Sequence, residues 1–530
     1  MTEPRPDDSY DVPPGASLAR LLRDGYIRHA NDRAVHIDGR WLSFHELGRL
    51  AFAGANALRD AGISDGDRVG TLLPNNRAFL ATWLAAIEIG ATLVPVNINL
   101  TGETLRYIVD HADLHTLILD AAVVPTYTAA FGESPPRRRL LTYRVDLAGA
   151  ARYDLLLAAA SSEPPPLLES ARNAPALVIY TSGTTGRLKG VVLSRAAQLA
   201  HGWYYGKDFV RLGPGETAYT CLPLFHVTSM GFSLGCWLGG AAVAIDRRFN
   251  PFGFWDDIRR HQARMFPYLG AMISLLAARP ERPDDAEVPA VRAIGAATPI
   301  NLWEAFERRF NLTLIETYGQ SETASLWFMP PPEGRRIGTV GMPCGRLDAY
   351  IAGEDGRPAR ANTAGEVMLR PHDPLLMTQN YFRDEETTWR AFHGGWYATG
   401  DAGTCDEDGY YRFAGRLKDF IRRRGENISA FEVEREALTH PAVREAAAVG
   451  VPSDLGEEEI KLCVLLHDDA RLEPKTLSRH LRPRMAGFML PRYIEVYADF
   501  PRTATQRVQK FRLADDGVRG STWDRHGRGP

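Results

Sequence analysis

Apolar residues recur at helical spacing from Phe44 to Ala61, and the run stops at Gly62. The next apolar block, Asp67-Arg68-Val69-Gly70-Thr71-Leu72-Leu73, is short and closed by Pro74-Asn75-Asn76, the pattern of a buried strand. A second helical run, Phe79 to Gly90, leads into another strand, Ala91 to Val96. Strand, helix, strand in this order predicts parallel sheet with helical crossovers. Between Gly132 and Ala174 lie Pro135-Pro136, Arg137-Arg138-Arg139 and Pro164-Pro165-Pro166, which predict loose connecting surface. The α/β texture returns in the middle third. From Gly334 the segments shorten around turns at Gly341, Asp355-Gly356, Gly365 and Asp408-Gly409, so a β-rich subdomain is expected. After Arg416 a compact α+β pattern runs to about Ala514, and the polar stretch from Asp515 to Pro530 is expected to fray.

Composition adds limits. A chain of 530 residues with 45% hydrophobic content exceeds one core, so two or more domains are expected. Its net charge of -3 shows no strong asymmetry, which gives no reason to expect nucleic acid or an anionic membrane as partner. The five cysteines are scattered with no C-x-x-C pair, the usage of a reducing cytosol rather than of a disulfide framework or zinc site. The proline-rich start has no apolar signal core, and no run of 18 apolar residues occurs. A soluble cytoplasmic protein is expected.

The strongest chemical signal is Tyr180-Thr181-Ser182-Gly183-Thr184-Thr185-Gly186-Arg187-Leu188-Lys189-Gly190, preceded by the strand-like Ala176-Leu177-Val178-Ile179. Small residues and three glycines let backbone N–H groups approach an oxyanion closely. The hydroxyls add donors, and Lys189 adds a positive charge for phosphate. The spacing is not that of a Walker A loop.

With this motif the chain resembles the superfamily of acyl-CoA synthetases, peptide-synthetase adenylation domains and firefly-type luciferases. The resemblance runs from about Trp41 to Leu513, with further motifs in the superfamily's order. Leu222-Pro223-Leu224-Phe225-His226 is similar to the segment beside the acyl pocket, and Gly295-Ala296-Ala297 to the adenine-side strand end. Glu316-Thr317-Tyr318-Gly319-Gln320-Ser321-Glu322 resembles the nucleotide and magnesium motif. Trp396-Tyr397-Ala398-Thr399-Gly400-Asp401 carries the ribose-binding aspartate. Gly415-Arg416-Leu417-Lys418-Asp419, then Gly425-Glu426-Asn427-Ile428, matches the hinge and the start of the C-terminal domain.

The resemblance implies an AMP-forming acid–thiol ligase of the crotonobetaine/carnitine-CoA-ligase texture, acting on a small-molecule carboxylic acid with ATP, Mg2+ and coenzyme A. It implies an α/β fold: an N-terminal domain over residues 1–415, with α/β layers and the β-rich subdomain, and a small mobile α+β domain over 416–530, hinged near Lys418. A monomer or homodimer is expected. In this reading Glu322 is a hard oxygen ligand for magnesium. Tyr318 offers a ring face to adenine, Asp401 accepts from both ribose hydroxyls, and Arg416 pairs with phosphate or ribose. His226 stands beside the acyl pocket, and Gly425 and Glu426 line the pantetheine path.

Three departures matter. Where most members end a loop Pro-x-Thr-x-x-Gly-Lys, this chain has Pro501-Arg502-Thr503-Ala504-Thr505-Gln506-Arg507. In the resembling enzymes that lysine bridges substrate carboxylate and nucleotide during adenylation. Arg507 keeps the charge in a wider planar fork, and a misplacement of about 1 Å can cost roughly 100-fold in rate. The thioesterification step, after rotation about Lys418, needs no lysine there. The expectation is therefore impaired adenylation with intact attack of CoA on an acyl-adenylate, which a separate ligase could supply. Lys510 is the nearby candidate substitute. Leu188 stands where the superfamily usually has proline, a minor change. Arg422-Arg423-Arg424 reads as a solvated basic run or as an attractor of CoA phosphates.

Small residues at Gly231, Ser233, Gly235 and Gly270 either leave room for a bulky apolar acid or serve close packing, and both readings stay open. Fatty, aromatic and terpenoid acids all fit. Other acceptors for the adenylate (a carrier-protein thiol, an amine, an inorganic nucleophile) and a non-catalytic ligand-binding role are the alternatives. The presence of Lys189, Glu322, Asp401 and Arg416 together argues against the last.

Overall fold

A computed structural model describes residues 12–13, 15–132, 138–168, 171–182, 188–324, 326–331, 334–423, 426–452, 458–502 and 508–527. The chain divides into two compact units. The first comprises Met1–Asp348 and Arg370–Gly395, and the second Ala349–Leu369 and Trp396–Pro530.

The helical run anticipated from Phe44 forms as Phe44–Asp60, because Ser43 and Glu46 close a reciprocal capping box at its start. Its neighbour Arg77–Ile89 is capped by the Asn76 side chain, which accepts from Phe79 N, and ends at Gly90 with φ +75°. Nearly every position of that helix is buried, as expected for a crossover packed on both sides.

The first unit holds two seven-stranded sheets. One runs in the order Ala150–Arg152, Arg139–Tyr143, Thr116–Asp120, Arg68–Leu72, Thr92–Pro95, Pro175–Ser182, Leu188–Ser194. All its pairings are parallel except the last, an antiparallel hairpin. The other follows Thr313–Glu316, Arg292–Ala296, Ala263–Leu269, Thr217–Thr220, Ala242–Ile245, Arg33–Ile37, Arg40–Ser43, again parallel except at its final pair. Strands such as Thr116–Asp120 are buried along their whole length, the mark of parallel sheet covered on both faces. In such sheets ligands bind beyond the carboxyl ends of the strands, and the motifs at Tyr180, Leu222, Gly295 and Glu316 lie at such strand ends.

The stretch expected to be loose surface contains two strands and the helix Tyr153–Ala159. Leu140-Leu141-Thr142-Tyr143 is a short, fully buried run, long enough to extend the parallel sheet yet too short to stand out between the prolines and arginines.

In the second unit, Gly365–Pro371, Trp396–Cys405 and Tyr411–Arg416 pair antiparallel, and Gly409 with φ +84° turns the last hairpin. The hairpin Phe420–Arg423/Glu426–Ser429 follows. A four-stranded sheet (Val443–Pro452, Glu458–Leu466, Tyr493–Val496, Trp523–Asp524) packs one face on the helices Ala430–Ala437 and Pro474–Leu481, through Val433, Ile460, Leu462, Leu477 and Leu481. Leu513 of the helix Lys510–Asp515 seals the other face with Val451 and Cys463. The stretch expected to fray joins the fold: Trp523 and Asp524 enter the sheet, and Ser521 and Thr522 donate to the buried carboxylate of Glu495. That carboxylate also receives Lys461 at 2.7 Å, so the tail is held by a buried ion pair that polarity along the sequence does not reveal. Among the described residues no helix is long and apolar enough to cross a membrane.

Candidate active site

The phosphate-loop motif joins the antiparallel strands Pro175–Ser182 and Leu188–Ser194, with Thr181 registered opposite Lys189. Gly183, Thr184, Thr185, Gly186 and Arg187 lie outside the described residues, as does the Ser182 side chain. Gly190 answers a packing demand: a methyl there would lie 3.1 Å from both Phe382 Cβ and Val178 Cγ1. What presses on it is Thr378–Phe382, a segment the motifs do not announce. Phe382 N donates to Gly190 O at 2.7 Å, and Val192 N to Asn380 O at 3.3 Å. Thr378 Oγ1 donates to Val192 O at 3.0 Å, and Thr378 N to Glu322 O at 2.7 Å.

That clip brings Lys189 and Glu322 to one residue. The buried Tyr381 donates its hydroxyl to Glu322 Oε1 at 3.0 Å, and Lys189 Nζ lies 5.1 Å from the centre of its ring. Beneath the loop strands, Tyr180 and His111 share a hydrogen bond of 2.7 Å, and Tyr107 donates to Leu188 O at 3.1 Å. Burial, then Arg383, pushes the His111 imidazole below its usual range, so a neutral ring faces Tyr180.

Gly295, Ala296 and Ala297 close the strand Arg292–Ala296, with Ala297 at φ +63°. Gly295 O accepts both the backbone N–H of Thr317, at 2.8 Å, and its hydroxyl, at 3.0 Å. Glu316 points inward. Its carboxylate accepts from Thr298 N and Oγ1 and from Tyr268 at 3.0 Å, and burial raises its pKa despite these donors. It therefore braces the strand end from behind. Tyr318 is buried, exchanges backbone bonds with Phe328, and meets the Phe328 ring edge-on at 5.3 Å. At Gly319 a methyl would make ordinary contact, 3.5 Å from Thr323 Oγ1 and 3.8 Å from Trp327 Cβ.

His226 is the exposed residue preceding the helix Val227–Leu238, in ring contact with Phe225. Its segment is pinned by Asn75, a buried residue that sequence reasoning passed over as a turn. The Asn75 amide donates to Leu222 O at 3.0 Å and Asp246 O at 2.7 Å, and accepts from Leu224 N at 2.7 Å. The small residues around it are explained by packing. A methyl on Gly231 would sit 2.1 Å from His201, whose two ring nitrogens are held by Ala324 O and Val227 O. At Gly235 it would meet Gly206 N at 2.7 Å, and at Gly270 the Ala297 carbonyl at 1.8 Å. Ser233 is fully buried.

In the second unit Asp401 is registered opposite Arg416, and Arg416 Nε meets Asp401 Oδ1 at 2.8 Å. Gly400, at φ +69°, bends the strand, and its N–H is taken by Glu366 at 2.8 Å. The backbone of Lys418 lies in the turn Leu417–Asp419, and Glu426 is registered opposite Arg423. Gly425 and Arg424 lie outside the described residues. Neither reading of the arginine run describes Arg423: it is 2% exposed, pairs with Glu459 at 2.7 Å and donates to Phe488 O and Leu490 O. Arg507 lies outside the described residues; the strand flanks on either side of its segment meet in an Arg502–Val508 bridge. Lys510 is engaged by Glu434 at 2.7 Å and Asp419 at 3.6 Å.

A magnesium ion fits this arrangement as a substrate-bound cation. Among the described residues no group of three or more side chains could enclose a metal. Magnesium commonly takes one or two carboxylates and completes its shell with phosphate oxygens and water, and Glu322 supplies such a carboxylate.

Comparison with known proteins identifies the family. Residues 25–382 match the model of AMP-binding enzymes, and residues 432–507 that of the AMP-binding enzyme C-terminal domain. A sulfoacetate–CoA ligase from Cupriavidus necator is 33% identical over 484 residues, covering 90% of this chain and 92% of the relative. A crotonobetaine/carnitine–CoA ligase from Salmonella typhi is 28% identical over 517 residues, covering 95% and 100%. Among solved structures, an anthranilate CoA ligase in complex with anthranoyl-AMP superposes with a TM-score of 0.87 at 24% identity, over 96% of this chain and 98% of that one. A benzoate CoA ligase from Burkholderia xenovorans gives 0.84 at 23%, over 94% and 100%. These structures carry the fold, and the sequence matches carry the kinship: the chain belongs to the AMP-binding enzyme family, among its adenylate-forming acyl-CoA ligases.

Proposed function

We propose that this ligase favours the second half of the reaction: attack of the CoA thiol on an acyl-adenylate, with formation of the adenylate from ATP impaired. Arg507 carries the reading. At the place where the resemblance expects a compact ammonium, a planar guanidinium of different reach carries the charge. Adenylation demands close placement of substrate carboxylate against the α-phosphate, and error there is expensive. The one nearby lysine is committed elsewhere, since Lys510 sits between Glu434 and Asp419. Supplying the amine at the active site would mean breaking an ion pair with the half-buried Glu434.

In this reading residues 1–415 hold acid and nucleotide, and residues 416–530 move about Lys418 between the two steps. The Thr181–Gly186 hydroxyl and N–H groups and Lys189 receive phosphate. Tyr318, Gly319 and the Gly295–Ala297 strand end receive adenine. Asp401, oriented by Arg416, accepts the ribose hydroxyls. Magnesium on Glu322 supplies charge neutralisation for phosphate oxygens. His226 borders the acid, and Gly425 and Glu426 border the pantetheine. The substrate is a small-molecule carboxylic acid or its adenylate, and in this reading a separate ligase supplies the adenylate.

One observation favours a complete ATP-dependent ligase instead. The Lys189–Tyr381–Glu322 assembly is intact, and a magnesium carboxylate serves the triphosphate rather than the adenylate. Acid-dependent exchange of labelled pyrophosphate into ATP, run without CoA over a panel of aromatic, fatty and sulfonated acids, separates the two. Exchange absent or at trace level supports the proposal; exchange at the rate of thioester formation overturns it.

A further inference from the structure

We infer that Tyr381 is a positioning residue for nucleotide binding, coupling the magnesium carboxylate of Glu322 to the phosphate lysine Lys189 through its two ends. The inference rests on reading Glu322 and Lys189 as the magnesium and phosphate groups.

Three independent sets of contacts fix Tyr381. Its backbone bridges Val191, two residues from Lys189, and its N–H donates to Thr388 Oγ1 at 2.9 Å. Its hydroxyl reaches Glu322 Oε1 at 3.0 Å, while the Glu322 carbonyl accepts from Thr378 N, three residues before it. Its ring lies 5.1 Å from Lys189 Nζ. A tyrosine satisfies both demands because it is apolar across the face and polar at the tip. The face steadies an ammonium by its negative quadrupole. The hydroxyl is a charge-assisted donor to one carboxylate oxygen, which fixes the direction of the carboxylate group.

The two ends can be cut separately. Tyr381→Phe removes only the hydroxyl; Tyr381→Leu removes the ring as well. The probe is ATP with Mn2+ as the paramagnetic cation, titrated against the full-length protein. Bound metal is read by electron paramagnetic resonance, and ATP binding without divalent cation by calorimetry. Tyr381→Phe is expected to weaken Mn2+–ATP roughly tenfold, the scale of one hydrogen bond to a charged group, while metal-free ATP changes by less than about twofold. Tyr381→Leu is expected to weaken both. Glu322→Gln serves as the reference. If Glu322→Gln weakens Mn2+–ATP and Tyr381→Phe does not, the coupling through Tyr381 is wrong and the Glu322 reading survives. If Glu322→Gln itself leaves Mn2+–ATP unchanged, the magnesium reading fails and this inference falls with it. Thermal unfolding of each variant guards against misfolding, and Tyr381→Phe alone decides should the leucine variant not fold.

Discussion

Gly270→Ala separates two explanations of the small residues near the strand ends. Gly270 opens the helix Gly270–Ala277 directly after the strand Ala263–Leu269, whose last residue is registered with Ala296. An added methyl would lie 1.8 Å from the carbonyl oxygen of Ala297 and 2.7 Å from its carbon, against a floor of 3.0 Å for real Cβ contacts. The obstacle is backbone, so no rotamer change relieves it. Ala297 already holds φ +63°, and Gly295 is gripped by Thr317 and packed so that its own Cβ position lies 2.2 Å from Tyr268 O. The strand end must therefore retreat by about 1 Å, a displacement that costs on the order of 100-fold where a site depends on position. Overpacking of this kind costs roughly 1–3 kcal/mol of folding stability. The assay is thioester formation from synthetic adenylates of a small and a bulky acid, with urea unfolding alongside. Both adenylates should lose activity by a similar factor. If the small one is turned over normally and only the bulky one is excluded, Gly270 is a pocket wall and the packing argument is wrong.

Two further outcomes follow from the same contacts. Arg416→Ala leaves Asp401, 2% exposed, without the cation that orients it. Nucleotide affinity should fall by roughly tenfold or more, measured by AMP titration calorimetry, because the carboxylate loses a charge-assisted bond that fixes its direction. His261 concerns stability against pH. Burial, then the neighbouring His36, lowers its pKa to about 4, whereas the unfolded chain titrates at 6.5. Between those values the unfolded state binds a proton that the folded state refuses, so this residue makes stability fall as pH drops from about 6.5 to about 4. His261→Gln should flatten that part of the urea-midpoint profile, and an unchanged slope would show that His261 is not its source.

How much of this was legible in the sequence depends on how far each residue's partner lies along the chain. Lys189, Glu322, Asp401 and Arg416 stand in ordered motifs, and Asp401 and Arg416 come opposite each other through a short hairpin. Tyr381 was missed because its partners lie at positions 189 and 322, and Asn75 because it is bonded to Leu222, Leu224 and Asp246. Local pattern carries no trace of such pairs. Gly231 and Gly235 read equally as space or as packing until their neighbours are known, and Arg423 reads as solvated until Glu459 is found beside it. The buried strand Arg139–Tyr143 was hidden by its proline and arginine surroundings, whereas the capped helices before it were plain.

The bias toward thioesterification is tested most directly by comparing CoA thioester formation from free acid plus ATP with formation from the synthetic acyl-adenylate, in the unmodified protein and in Arg507→Lys. The account predicts turnover of the adenylate alone in the unmodified protein, and recovery of the ATP-dependent step in the lysine variant. Equal rates from both starting points in the unmodified protein would contradict it and make this a conventional ligase.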